Sequence, residues 1–249
     1  MRGLLCLLIG MGVTLSTFGQ EAPVLRLLTY NIHHAEGLDG KVDYDRIARV
    51  IRETKADLVA LQEVDIHTQR TDRVDQARTI ASKLGMHQVF GRAIHFQGGQ
   101  YGLAVLSRWP ILTHKVHALP YRINQEPRIA LETHIRPDEG IPELCFIDTH
   151  LCHLSETTRS EQVQRLLQIV PKNGPAEVIL AGDFNARPDS SPMERLWGEG
   201  WRDLLGEHHG IDYLLAPEAS HWEVRSARIV DAPVASDHMP VLVELAWKQ

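Results

Sequence analysis

Ten strand-like runs, interspersed with four stretches of helical spacing, limit what this chain can fold into. The runs cover residues 25–31, 57–63, 86–93, 102–107, 128–135, 144–150, 177–182, 211–216, 225–230 and 241–247. Tyr44, Ile47, Ala48 and Ile51 recur at i, i+3, i+4 and i+7, with Asp43 placed as an N-cap. Ala77, Ile80, Ala81 and Leu84 repeat that spacing and Gly85 ends it. Val163, Leu166, Leu167 and Val170 do so again before Pro171. Ser191-Pro192-Met193-Glu194 reads as a capping box with proline at the first helical position. No repeat, low-complexity tract or Pro/Gly-rich linker divides the chain. One domain is expected over residues 24–249, of the α/β (α+β) class, with two packed sheets flanked by helices.

The first 20 residues read as a signal peptide. Met1 and Arg2 supply the positive end, residues 4–13 are apolar, and Thr14, Ser16, Thr17 and Gly19 suit a cleavage site. The apolar run is short for a bilayer span. An uncleaved anchor is the alternative. Export places the mature chain, starting near residues 20–22, outside the cytoplasm, secreted or periplasmic. No later segment is apolar enough to span a membrane. Cys145 and Cys152 are seven residues apart along one predicted strand, roughly 23 Å at about 3.3 Å per residue, and on opposite faces. No disulfide between them is expected.

Composition narrows the function. A hydrophobic fraction of 43% and a charged fraction of 23% describe a soluble globular protein. The net charge of -6 lacks the basic footprint of a protein that grips duplex DNA. Fourteen histidines are a rich supply of metal ligands and proton carriers.

What terminates the apolar runs is more telling. One ends in Asn31, another in Glu63, another in His150, and Gly182 leads into Asp183, Phe184 and Asn185. Ser236-Asp237-His238 stands just before the last run. Each alone reads as a turn, a cap or a solvated strand end. Five in order along one chain are poorly explained by coincidence. Gathered at one rim, they would offer oxygen ligands suited to Mg²⁺, Mn²⁺ or Ca²⁺, with imidazole and carboxylate for acid–base work. Phosphoryl chemistry needs that combination.

The ordered blocks Thr29-Tyr30-Asn31-Ile32-His33, Leu61-Gln62-Glu63-Val64-Asp65, Thr149-His150-Leu151, Gly182-Asp183-Phe184-Asn185 and Ser236-Asp237-His238 resemble the signature of the endonuclease/exonuclease/phosphatase superfamily. Tyr101-Gly102, Leu106-Ser107-Arg108, Glu126-Pro127-Arg128 and Ile211-Asp212-Tyr213 extend the resemblance, which runs from about residue 25 to 245. It implies the DNase I-like four-layer α/β sandwich. It also implies that Asn31, Glu63 and Asp237 hold a divalent metal, Mg²⁺ or Mn²⁺ with Ca²⁺ as a further option. Asp183 would orient or deprotonate a water, and Asn185 would bind a phosphate oxygen. His150 would contact phosphate or assist the leaving group, and His238 would act as a catalytic histidine fixed by Asp212. Two positions depart from similar sequences: Cys152 where Asp is common and Leu103 where Asn is common.

Four further residues carry open alternatives. His33, two after Asn31 and so on its face in a strand, is a substrate contact or a bystander. Arg70 pairs with phosphate or with Asp72 or Asp75. Arg128 binds phosphate or caps a strand. Tyr101 lines the cleft or belongs to the core. The resulting expectation is a monomeric, metal-dependent phosphoesterase, most plainly a phosphodiesterase, acting on a small, lipid or sugar phosphate ester. A nuclease acting on DNA or RNA is the alternative, and a non-catalytic binding protein on the same fold fits less well. The loops over residues 65–75, 96–101 and 155–159, which would select the substrate, contain no readable motif.

Overall fold

The computed structural model describes residues 23–138, 140–171, 176–206 and 210–248; the expected signal peptide lies outside the described residues. Among the described residues there are twelve strands. They are β1 (Val24–Asn31), β2 (Leu58–Ile66), β3 (His87–Phe96), β4 (Gly99–Ser107), β5 (Ile111–Ala118), β6 (Ile129–Ile135), β7 (Leu144–His150), β8 (Glu177–Asp183), β9 (Trp201–Asp203), β10 (Asp212–Pro217), β11 (Trp222–Ile229) and β12 (Val241–Trp247). The helices are α1 (Tyr44–Thr54), α2 (Gln76–Leu84), α3 (Glu156–Ile169) and α4 (Ser191–Gly198). Among the described residues, no helix is long and apolar enough to cross a membrane.

The strands form two six-stranded mixed sheets, ordered β11-β12-β1-β2-β4-β3 and β5-β6-β7-β8-β10-β9. Each has one parallel pair, β1 with β2 and β7 with β8. A parallel pair needs a crossover, usually helical, and α1 and α3 supply the two. Both members of a parallel pair end at the same edge. This brings Asn31 near the Glu63 segment in one sheet and sets His150 beside Asp183 in the other.

Why the layers stack follows from the side chains. Leu27, Leu58 and Val105 of the first sheet meet Leu131, Phe146 and Ile179 of the second in a shared core. Alternate residues face outward. Leu28, Val59 and Leu106 pack under Ile47 and Ile51 of α1 and Ile80 of α2. Ile147, Leu180 and Tyr213 pack under Val163 and Leu166 of α3 and Met193 and Leu196 of α4. The result is the four-layer DNase I-like α/β sandwich.

Asp43 and Asp75 accept hydrogen bonds from Arg46 N and Arg78 N, capping α1 and α2, and Gly85 closes α2 in the left-handed region. The expected capping box of α4 does not form. Ser190 is the N-cap, without a side-chain cap bond, because its hydroxyl donates to Arg187 O at 2.6 Å. Ser191, expected as the cap, instead donates to Glu156 Oε1 at 2.5 Å. Cys145 and Cys152 are free and buried.

Candidate active site

The rung across the end of the second sheet is set by register. His150 on β7 pairs with Asp183 on β8, and Asp183 pairs with Asp212 on β10. Gly182 makes this approach feasible. Its φ is 139°, and a Cβ there would lie 1.9 Å from Thr149 O, so a side chain would force β8 off β7.

From the last loop, His238 closes over this rung. Its Nδ1 lies 2.8 Å from Asp212 Oδ2 and its Nε2 3.7 Å from Asp183 Oδ2. Burial alone would lower the imidazole's pKa, but the hydrogen bond and charge of Asp212, with Asp183 and Asp237, outweigh it and raise it to about 9. Burial, and then the charge of Asp212, raise the Asp183 carboxyl towards neutrality.

His150 is the opposite case. Arg128 Nη1 is 3.0 Å from its Nδ1, and a guanidinium only donates, so Nδ1 accepts and Nε2 carries the proton. That Nε2 lies 3.4 Å from Asp183 Oδ2. Burial and then the charge of Arg128 push His150 well below its ordinary range, keeping it neutral.

The first sheet supplies the oxygen donors. Asn31 Oδ1 accepts the His33 N–H at 3.1 Å, which fixes the amide orientation. Its Nδ2 then donates to Glu63 Oε1 and Asp183 Oδ2, both at 3.2 Å, joining the two sheets. Glu63 does not end its strand as the sequence suggests. β2 continues to Ile66, and Glu63 sits at φ 60° in a bulge where the register with β4 shifts. A bulge re-aims a side chain, here towards the strand ends. Beneath the site, Gln62 Nε2 donates to Asp148 Oδ1 at 2.7 Å, a second bridge between the sheets.

His33 does not share the face of Asn31. β1 stops at Asn31, and His33, His34 and Ala35 take positive φ values of 44°, 42° and 62°, so period-two reasoning fails there. A ligand atom of His33 nevertheless lies within 4.8 Å of ligand atoms of His34 and Glu63. Asp237 stands exposed on the rim beside His238.

A cavity of about 360 Å³ opens over these groups. Glu63, Arg70, Arg128, His150, Asp183, Asn185 and His238 line it, with Tyr101. Arg70 pairs with neither Asp72 nor Asp75. It grips buried Asp65, five residues before it, with two bonds of 2.7 and 3.0 Å. Its guanidinium lies 4.8 Å from the Phe96 ring centroid and 5.6 Å from that of Tyr101. Arg128 caps no strand; it holds His150, His153 and Glu126. Asn185 anchors itself through N–H to Asp183 Oδ1 at 2.8 Å and Nδ2 to Leu151 O at 3.1 Å. Ile94, Phe96, Glu126 and His153 complete the wall. Sequence reasoning did not select them as site residues, since they meet only in space; the Glu126-Pro127-Arg128 block was the one available signal.

The donor set fits a hard divalent cation. Carboxylates converge here, and among the described residues Glu63 makes no ion pair with Lys or Arg. Ligand atoms of Asp183, Asp212 and His238 also lie within 4.8 Å of one another.

The profile of the Endonuclease/Exonuclease/phosphatase family matches residues 28–238. Over 94 residues, 36% of this chain, the sequence is 33% identical to Protein angel of Drosophila melanogaster. Over 169 residues, 64% of this chain, it is 27% identical to Uncharacterized protein YbhP of Escherichia coli. The chain spans 24% and 66% of those two relatives' own lengths. Its fold is similar to an endonuclease/exonuclease/phosphatase structure from Beutenbergia cavernae, with a TM-score of 0.74 and 24% identity, covering 90% of this chain and 72% of that one. By the profile that matches most of its length, the chain belongs to the Endonuclease/Exonuclease/phosphatase family, and its site gathers oxygen and imidazole donors of the kind a hard divalent cation takes.

Proposed function

We propose that this protein is a metal-dependent phosphodiesterase that directs a water in line at phosphorus. The observation that carries the reading is the rung His150–Asp183–Asp212 with His238 closed over it. Glu63 and Asn31, with Asp237 at the rim, would hold the cation, Mg²⁺ or Mn²⁺ with Ca²⁺ a further option. When bound, the cation neutralises charge on the phosphate oxygens. Asp183, a carboxylate whose pKa is raised, takes the proton from the attacking water. His238, held cationic by Asp212, donates to the developing charge. Neutral His150 presents its Nε2 proton, and Asn185 its remaining amide donor, to phosphate oxygens or the leaving group. Arg70 and Arg128 attract the anionic substrate, and His33 stands behind the cation ligands. The protein acts as a monomer outside the cytoplasm, released by cleavage of its leader.

The aromatic wall of Phe96 and Tyr101, with Arg70 over both rings, favours a second reading in which a nucleobase stacks beside the scissile ester. Hydrolysis of bis-p-nitrophenyl phosphate beside p-nitrophenyl phosphate, with Mg²⁺ or Mn²⁺, tests the proposal. Cleavage of the diester supports it, and cleavage of the monoester alone contradicts it. Ionic strength separates the two readings. Action on a polynucleotide weakens steeply with salt, while that on a small diester changes little.

A further inference from the structure

Away from the catalytic end, β5, β6 and β7 gather a second set of metal-favouring side chains. Ala130 on β6 packs into the outer cluster beneath α3, and Glu132 and His134 follow at period two on that face. On β7, Cys145 and Ile147 belong to the same outer cluster, and the register sets His134 opposite Cys145. On β5, His117 lies opposite Ala130. His117 Nε2 is 2.6 Å from Glu132 Oε2, and His134 Nε2 is 2.9 Å from Glu132 Oε1. Ligand atoms of Glu132, His134 and Cys145 all lie within 4.8 Å of one another.

A second observation concerns orientation. The other ring nitrogen of His134, Nδ1, lies 3.7 Å from Glu143 Oε1, and Arg136 holds the other oxygen of Glu143 at 2.7 Å. At 3.7 Å this is an ion-pair distance and not a hydrogen bond, but it puts a carboxylate on the side from which metal-ligating histidines are oriented. Hydrogen bonding alone accounts for His117, Glu132 and His134. Packing accounts for the burial of Cys145, but not for its thiol standing within 4.8 Å of both Glu132 and His134. Cys145 is buried while His117, Glu132 and His134 are half-buried, so an ion can enter from solvent.

We infer that Glu132, His134 and Cys145 form a site for a transition-metal ion, zinc foremost, separate from the catalytic centre, with His117 orienting the Glu132 carboxylate. One thiolate, one imidazole and one carboxylate make a three-ligand set of borderline softness, matched to tetrahedral zinc with a water in the fourth position rather than to Mg²⁺ or Ca²⁺. Cys145 precedes His150 by five strand residues, about 16 Å at 3.3 Å each, so the two sites do not share an ion. The ion ties β6 to β7, and the hydrogen bond from His117 to Glu132 carries the link to the largely exposed edge strand β5.

Cobalt(II) is the probe. The full chain is stripped with a chelator and titrated with Co²⁺, and the near-ultraviolet thiolate-to-cobalt band is recorded. The catalytic cluster contains no cysteine, so the band reports this site alone. One equivalent should develop the band in the wild type and in Glu63→Gln, and Zn²⁺ should abolish it by displacement. Cys145→Ser should lose the band and Cys152→Ser should keep it. Glu132→Gln, which preserves shape, should weaken Co²⁺ binding about tenfold or more. A folded wild-type chain without the band, a band that survives in Cys145→Ser, or unchanged affinity in Glu132→Gln overturns the inference.

Discussion

His238 Nδ1 lies 2.8 Å from Asp212 Oδ2, and this contact sets the charge of the imidazole that covers the site. With its folded pKa near 9, above an ordinary value of about 6.5, His238 adds stability that is complete below about pH 6.5 and lost as pH rises through about 9. In metal-free Asp212→Asn, the NMR titration of His238 should fall towards the ordinary value. The thermal destabilisation of that variant relative to wild type should be largest in mild acid and shrink above pH 9.

Arg70 both lines the cavity and neutralises Asp65, whose side chain is fully buried. Arg70→Ala should cost roughly 3 kcal/mol by leaving that carboxylate unpaired. It should also raise KM for an anionic diester more than it lowers kcat. Asp65→Asn added to it should recover part of the stability but not the KM. Denaturant unfolding and steady-state kinetics on the three variants check this.

Glu63 reaches the site from a bulge, so Glu63→Gln keeps the shape and removes the charge. The Mg²⁺ concentration giving half-maximal activity should rise at least about tenfold. A Mg²⁺ titration of the hydrolysis rate measures it; an unchanged midpoint would move the cation to the Asp183–Asp212–His238 group.

Gly182→Ala places a methyl group against Thr149 O. The variant should lose roughly 3 kcal/mol or more, read as a fall in Tm of at least about 6 °C for a chain of this size. Activity should fall with it, since the same contact sets His150 beside Asp183.

Two packed sheets flanked by helices were legible because apolar strands and amphipathic helices announce themselves by period; the four-layer DNase I-like arrangement followed from the resemblance carried by the ordered blocks. Edge strand β5 was missed because an exposed strand carrying His114, Lys115 and His117 has no clean alternation, and β9 because three residues carry no period. Asn31, His150 and Asp183 stood at strand ends and could be read there. Glu63 was found for a partly mistaken reason, since a bulge is invisible in a run of apolar residues. His33 was misplaced because local φ, not strand period, governs it. The cavity wall of Phe96, Glu126 and His153, and the grip of Arg70 on Asp65, arise from loops that meet only after the sheets have packed.

Asp183, in the proposed reaction, activates water in a metal-dependent hydrolysis. The most direct test is the initial rate on bis-p-nitrophenyl phosphate for wild type and Asp183→Asn, each with Mg²⁺ and then with EDTA. EDTA should abolish the wild-type rate, and Asp183→Asn, folded by circular dichroism, should retain a rate lower by about 10²–10⁴. Full activity in Asp183→Asn, or a wild-type rate indifferent to EDTA, would contradict it.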